Sequence, residues 1–105
     1  MGTYRVMLVC GSGASSGFMA SNIRKAAKAH GLDMSIVARS DAEIPNYIDD
    51  VDLIMIGPHM AMILDDIKSW QQDYPALKVE VMKADYYSTL DGEKALNHIL
   101  AVKNS

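Results

Sequence analysis

Four short apolar runs most constrain the fold of this chain, because each run is separated from the next by a segment with helical signals. The runs are Tyr4–Val9, Met34–Ala38, Leu53–Ile56 and Lys78–Met82. Strands that alternate with helices form right-handed βαβ units, and such units build a parallel sheet with helices on both faces. The sequence therefore predicts an α/β fold, a three-layer sandwich around a four-stranded parallel sheet.

One helix is predicted after each strand. The predicted helices run from Phe18 to His30, from the capping-box sequence Ser40-Asp41-Ala42-Glu43 to Tyr47, from Gly57-Pro58 to Pro75, and from Glu93 to Lys103. Gly31 stands where a helix commonly ends in a left-handed residue, and Pro75 stops the third helix. The last helix carries Leu96, Ile99 and Leu100 as its inner stripe.

The composition predicts one globular domain over residues 1–105. Half of the residues are hydrophobic, and the formal net charge is −3. There is no basic run, which argues against nucleic acid as a partner. A single cysteine excludes an internal disulfide and fits a reducing compartment. Without a signal-peptide core or an apolar run long enough to cross a bilayer, the chain is expected in the cytoplasm.

Most other conspicuous residues are assigned to packing or to the surface. One cysteine and three scattered histidines lack ligand spacing, so we predict no metal and no cofactor. The eight methionines are expected mostly in the core, as flexible packing residues. Trp70 is expected to be partly exposed, and His30 and His98, near helix ends, are expected at the surface.

Cys10 is the residue best placed for chemistry. It ends the first predicted strand, and the small-residue loop Gly11-Ser12-Gly13-Ala14-Ser15-Ser16-Gly17 leads from it into a helix. Backbone N–H groups at such a turn, with the positive end of the helix dipole, favour a bound anion and a thiolate. A buried structural cysteine is the commoner alternative, but a core cysteine is expected inside a strand or on an apolar helix face. We therefore predict Cys10 as a nucleophile and the loop as its phosphate-binding segment.

Three further polar segments follow predicted strands at the same edge of the sheet, where ligands of doubly wound folds bind. They are Arg39-Ser40-Asp41, Gly57-Pro58-His59 and Lys83-Ala84-Asp85-Tyr86-Tyr87. Two interpretations of His59 stay open: it caps a helix, or it is a charge partner for bound phosphate. Pro58, His59 and Tyr87 are expected as secondary neighbours of the site. Asp49, Asp50 and Asp52 precede the third strand and are expected in a solvated loop at the opposite end.

Three motifs together resemble the lactose/cellobiose-type IIB component of the bacterial sugar phosphotransferase system. They are the strand followed by Cys10-Gly-Ser-Gly-Ala-Ser-Ser-Gly17, the turn Gly57-Pro58-His59-Met60-Ala61, and Tyr87 followed by Asp91-Gly92. The resemblance covers essentially the whole chain and implies a four-stranded parallel sheet of order 2-1-3-4. It departs from the family pattern at His59, where Gln is common.

The resemblance also implies a function. Cys10 would accept a phosphoryl group from a phosphohistidine on the IIA component. It would pass that group to a sugar of the β-glucoside or disaccharide class, bound by the membrane IIC component. Loop amides, with the hydroxyls of Ser12, Ser15 and Ser16, would hold the phosphoryl oxygens.

Two other functions stay open at this point. A small cysteine phosphatase also places a thiolate in a phosphate loop after its first strand, but its Cys, five residues, Arg pattern meets Ser16 here instead of a guanidinium. Asp85 is the one candidate for its general acid. A non-enzymatic redox module would use Cys10 as a sensor, but such sensors favour a second, resolving cysteine, and the chain has none.

Overall fold

A parallel sheet forms the centre of the computed structural model, which describes residues 3–9 and 14–104, with side chains omitted for residues 14–16. Within these residues the strands are β1 (Tyr4–Val9), β2 (Met34–Arg39), β3 (Leu53–Ile56) and β4 (Lys78–Val81). The sheet order is β2-β1-β3-β4, and all neighbouring pairs are parallel. The predicted fold class and strand order are confirmed, and each predicted strand is correct to within one residue.

Helices cover both faces of this sheet. They are α1 (Ala14–Ala29), α2 (Ile44–Tyr47), α3 (Leu64–Gln71), α4 (Ala84–Thr89) and α5 (Gly92–Lys103), with 3-10 turns at Asp41–Glu43 and Pro58–Ile63. α1 ends as predicted, with Gly31 in the left-handed region at φ +69°. The Glu43 carboxylate accepts a hydrogen bond from the Ser40 amide at 3.3 Å, as the capping-box spacing predicts.

The central strands are apolar on both sides because each side meets its own core. Val6 and Leu8 of β1 face a core shared with α1, α4 and α5, whereas Met7 and Val9 face a second core shared with α2 and α3. The predicted core methionines Met7, Met55 and Met82 are all buried. Because such a strand is apolar on both faces, polar functional side chains are found in the residues that follow it.

Three helix predictions were wrong in detail. α1 begins at Ala14, four residues before the predicted Phe18, because the small residues that indicate a loop also fit a first helical turn. The third helix is a 3-10 turn followed by α3, because Met60 has non-helical angles (φ −117°, ψ 21°) just after Pro58. The third error is α4, which was not predicted; its six residues are too few to show a helical period. It ends at Leu90 in the left-handed region (φ 55°, ψ 40°), with the paired hydrogen bonds Asp91 N–H to Tyr86 and Leu90 N–H to Tyr87 of a Schellman motif.

Gly92 lets α5 pack directly against α1. A Cβ placed on Gly92 would lie 2.4 Å from the carbonyl oxygen of Asn22 and 2.5 Å from its carbonyl carbon. Both contacts are with backbone, which has no flexible end to move aside. The glycine is therefore required by close approach of two helices.

We expect Gly92→Ala to lower the free energy of unfolding by about 1–3 kcal/mol, because α5 must shift away from α1 to admit the methyl group. Gly17→Ala is the matched control. A Cβ at Gly17, inside α1, meets no described atom within 4 Å, so the same change should stabilise the helix by about 0.5–1 kcal/mol. Urea unfolding of both variants tests this, and equal effects would contradict the packing argument.

Candidate functional site

The four strands end together along one edge of the sheet, at Val9, Arg39, Ile56 and Val81. We call this the active edge. Cys10 follows Val9 directly in sequence, and the predicted loop residues Gly11, Ser12 and Gly13 come next. These four positions lie outside the described residues. Ala14, Ser15, Ser16 and Gly17 form the first turn of α1.

The first turn of α1 has the properties of an anion-binding helix end. The first N–H groups of a helix have no partner inside the helix, and in α1 they include those of residues 14–16. No acidic side chain occurs in this turn, and the helix is 16 residues long. Partial positive charge therefore lies at the N-terminal end of α1, which begins four residues after Cys10 in sequence.

The Gly57-Pro58-His59 turn is attached to the residue before Cys10. The amide of Gly57 donates a hydrogen bond to the Val9 carbonyl at 2.9 Å, and the amide of Met60 closes the turn onto the Gly57 carbonyl at 2.9 Å. A Cβ on Gly57 would lie 2.9 Å from His59 Cε1 and 3.4 Å from the Val9 oxygen. The small residue thus permits the imidazole ring to fold back over the turn.

The structure brings His59 and Tyr87 together, although they come from segments nearly thirty residues apart. Their ring centroids are 5.8 Å apart at an interplanar angle of 49°. His59 is exposed, whereas Tyr87 is half-buried and packs against the α1–α4–α5 core. The pair forms a wall at the active edge, anchored on one side by the core.

Asn22 is a positioning residue that the sequence analysis missed. Its side-chain amide donates a hydrogen bond to the Leu90 carbonyl at 2.8 Å, across 68 residues of sequence. Leu90 ends α4, which carries Tyr87, and Asn22 lies in α1, whose first turn follows the Cys10 loop in sequence. The bond therefore fixes the loop-bearing helix against the helix that carries the aromatic wall. A lone Asn in a helix gives no sequence signal of this role.

The Arg39-Ser40-Asp41 segment contributes less to the active edge than its sequence indicates. The Arg39 guanidinium donates to the Tyr47 hydroxyl at 3.0 Å through Nε and to the Ala38 carbonyl at 2.8 Å through Nη1. It also lies 5.3 Å from the centre of the Tyr47 ring. Arg39 is thus held by α2 and its own strand.

His98 was predicted at the surface, and this prediction was wrong. Its side chain is only 14% exposed, and Nδ1 lies 2.6 Å from the Tyr86 hydroxyl. Burial lowers the pKa of His98 and raises the pKa of Tyr86 to about 12. Tyr86 therefore stays protonated, and its hydroxyl shares a hydrogen bond with the His98 imidazole. By contrast His30 is exposed as predicted, 3.0 Å from the Glu93 carboxylate.

The comparisons with known proteins decide the family. The model of the family described as PTS system, lactose/cellobiose-specific IIB subunit, matches residues 5–98. This chain belongs to that family. IIB subunits of this type are phosphotransferases that work with IIA and IIC components of the phosphotransferase system.

Individual relatives agree with the family assignment. The galactose-specific EIIB component of Lactococcus lactis subsp. cremoris (strain MG1363) is 27% identical over 96 residues, covering 87% of this chain and 88% of that protein. The lactose-specific EIICB component of Lacticaseibacillus casei is 26% identical over 95 residues, covering 90% of this chain but 16% of that longer protein. The lactose-specific IIB domain structure from Streptococcus pneumoniae has a TM-score of 0.87 at 16% identity, covering 96% of this chain and 98% of that one, and shows the same fold.

Two features are absent from the described part of this IIB subunit. Across residues 3–9 and 14–104, no group of three or more His, Cys, Asp or Glu side chains is arranged to hold a metal ion. No helix in the same part of the chain is long and apolar enough to span a membrane.

The buried His98 predicts a stability loss in mild acid. Because its pKa is lowered in the folded state, the unfolded chain takes up a proton first as the pH falls below about 6.5, the ordinary histidine value. Stability present above that pH is therefore lost as the pH falls from about 6.5 through the lower folded pKa. Glu80 and Asp85 oppose the shift, and Lys83 adds to it.

Urea unfolding between about pH 8 and pH 5 tests this prediction against His98→Gln. The variant should be less stable at pH 8, since it loses the Tyr86 contact, but should show a shallower decline below pH 6.5. If the free energy of unfolding falls with pH in the same way for the parent and for His98→Gln, His98 is not the titrating group.

Proposed function

We propose that Cys10 is the phosphoryl carrier of this IIB subunit. The supporting observation is its position: it follows a strand buried on both faces and precedes the first turn of α1, in a chain of the IIB family. The Cys10 thiolate attacks the phosphorus of a phosphohistidine on the IIA component. The S–P bond forms as the N–P bond breaks, and the histidine nitrogen keeps the electron pair.

The second half-reaction transfers the group to a sugar. A hydroxyl oxygen of the sugar, bound by the membrane IIC component, attacks the phosphorus. The O–P bond forms as the S–P bond breaks, the hydroxyl proton is lost, and Cys10 returns as the thiolate. Both steps depend on positioning and on stabilising the charge of the equatorial oxygens.

The phosphate-binding segment runs from Gly11 to Gly17. In this proposal its backbone amides, including the free N–H groups at the start of α1, donate to the phosphoryl oxygens, and Ser12, Ser15 and Ser16 add hydroxyl donors. Small residues let the backbone come close to the bound group. Pro58, His59 and Tyr87 are secondary neighbours that limit access from one side.

The sugar belongs to the β-glucoside or disaccharide class. Support comes from the sugars for which relatives are named, which include cellobiose and lactose as well as galactose. The donor and the relay act on the cytoplasmic side of the membrane in this scheme, since IIC delivers the phosphorylated sugar to the cell interior.

A cysteine phosphatase has less support. It needs a guanidinium clamp on the phosphate, and the chain has Ser16 at the position six residues after Cys10. Arg39, which ends β2 at the active edge, is engaged by Tyr47.

We expect the parent protein to gain one phosphoryl group on Cys10 when it is incubated with phosphorylated IIA. Cys10→Ser should gain none, because a hydroxyl of much higher pKa is a poor acceptor. Gly13→Val should slow transfer at least about tenfold, the rate equivalent of about 1.4 kcal/mol, by blocking close approach of the loop. Intact mass, followed by acid and alkali treatment to identify the bond, measures the outcome.

Three results would contradict the relay. The first is phosphate on a histidine, and the second is labelling of Cys10→Ser as fast as the parent. The third is steady hydrolysis of aryl phosphates that disappears in Cys10→Ser, which would favour the phosphatase. Unchanged unfolding of Gly13→Val in urea is the control that separates slow transfer from loss of fold.

A further prediction concerns the free thiol. Loop amides and the α1 dipole favour the anion, so Cys10 should ionise at a lower pH than a free cysteine, whose pKa is about 8.5. The rate of alkylation by iodoacetamide against pH measures this. If the alkylation rate depends on pH as it does for glutathione, the loop amides and the α1 dipole do not stabilise the thiolate.

A further inference from the structure

Charge is distributed unequally between the two helical layers of the sheet. Within residues 41–74, the helices α2 and α3 and the 3-10 turns carry four acidic residues and one basic residue, Lys68. The acidic residues are Asp41, Glu43, Asp65 and Asp66. The helices on the other face, α1, α4 and α5, carry five basic and two acidic residues. The negative charge of the molecule is therefore concentrated on the α2–α3 side.

An apolar groove opens in the middle of this acidic side. It holds about 210 Å³ and is lined by Ile44, Ile63, Ile67, Trp70, Asp41 and Asp66; we call it the α2–α3 groove. Ile44 and Ile67 are fully buried and form its floor, whereas Trp70 is 41% exposed. The volume fits one or two side chains of a partner, and exposed tryptophan is the residue type most enriched where partners bind tightly.

The two carboxylates at the groove are available for a cation. Among the described residues, neither Asp41 nor Asp66 has a side-chain hydrogen bond or ion pair, although Asp52, Glu80 and Glu93 each face a cationic or titratable partner. Asp66 lies in the first turn of α3, and its backbone carbonyl accepts a hydrogen bond from the Ser69 hydroxyl at 2.6 Å. A basic group beside an apolar side chain would complement both features.

The groove also adjoins the active edge. Asp41 comes two residues after Arg39, where β2 ends, and Ile63 closes the 3-10 turn that starts at Pro58. A partner seated in the groove is therefore beside the edge from which Cys10 emerges.

We propose that the α2–α3 groove docks a basic, amphipathic segment on the cytoplasmic side of the membrane IIC component. This proposal rests on the relay function above. Segments that flank membrane spans on the cytoplasmic side carry an excess of Lys and Arg, so their charge complements the groove. The lipid surface beside them is negative and repels the acidic side of this subunit, which favours the protein over the lipid as occupant.

The two half-reactions provide the test. Phosphorylation of Cys10 by phospho-IIA is measured alone, and transfer from the phosphorylated subunit to sugar is measured with vesicles that contain IIC. For Asp66→Asn and Trp70→Ala, we expect the first rate within twofold of the parent. The subunit concentration for half-maximal transfer to sugar should rise at least fivefold, and the maximal rate should change less.

Matched variants separate docking from general effects. Glu93→Gln removes the same charge from the first turn of α5 on the other face and should leave both half-reactions unchanged. Trp70→Phe keeps an aromatic ring in the groove and should behave like the parent. At higher ionic strength, the parent should need a higher concentration for half-maximal transfer and approach the value of Asp66→Asn. Salt screens the attraction between the exposed Asp66 carboxylate and a basic group of the partner.

Several outcomes would overturn the proposal. If both half-reactions slow equally, the groove residues are needed for the stability of the fold or for binding of phospho-IIA. If neither changes, it docks nothing in this cycle. If vesicles without IIC bind the parent and not Asp66→Asn, the lipid is the occupant. If the parent gains no phosphoryl group on Cys10, the proposed relay is wrong. If the parent is phosphorylated and both variants transfer to sugar normally, only the docking proposal is wrong.

Discussion

The hydrogen bond from the Gly57 amide to the Val9 carbonyl carries the β1–β3 pairing one residue past the end of β3. It fixes the end of β1, the last described residue before Cys10. It also fixes the start of the Pro58 turn, and so the place of His59. The positions of these residues at the active edge are therefore set by the sheet, and the proposed function depends on such rigid placement.

A second set of contacts holds the other side of the same edge. Asn22 ties α1 to the end of α4, and Gly92 brings α5 against the Asn22 backbone. Tyr87 then reaches back from α4 to His59. These contacts fix the helices beside the active edge against one another, and the proposed relay depends on this because small displacements of a phosphoryl group change transfer rates strongly.

Local patterns predicted the strands and most helix ends because those features depend on nearby residues: apolar runs, a capping box, a glycine after α1. Longer-range features had no such signal. The Asn22 bond joins residues 68 apart, and burial of His98 depends on Tyr86 in a helix too short to predict. The 3-10 geometry before α3 arose where Pro58 and Met60 meet the sheet edge, which helical spacing alone does not reveal. The family motifs supplied the expected role of Cys10, since no local pattern specifies a phosphoryl donor.

The strand order has a consequence for how the molecule is made. β1 is synthesised first yet lies inside the sheet, between β2 and β3, so its second edge stays unpaired until Leu53–Ile56 has emerged from the ribosome. Contacts between segments so far apart in sequence form slowly, and an unpaired apolar strand is open to wrong association in the meantime. The described contacts at the active edge join residues from Val9 to Gly92, which is most of the chain. A nascent or truncated chain thus carries Cys10 long before these contacts can form.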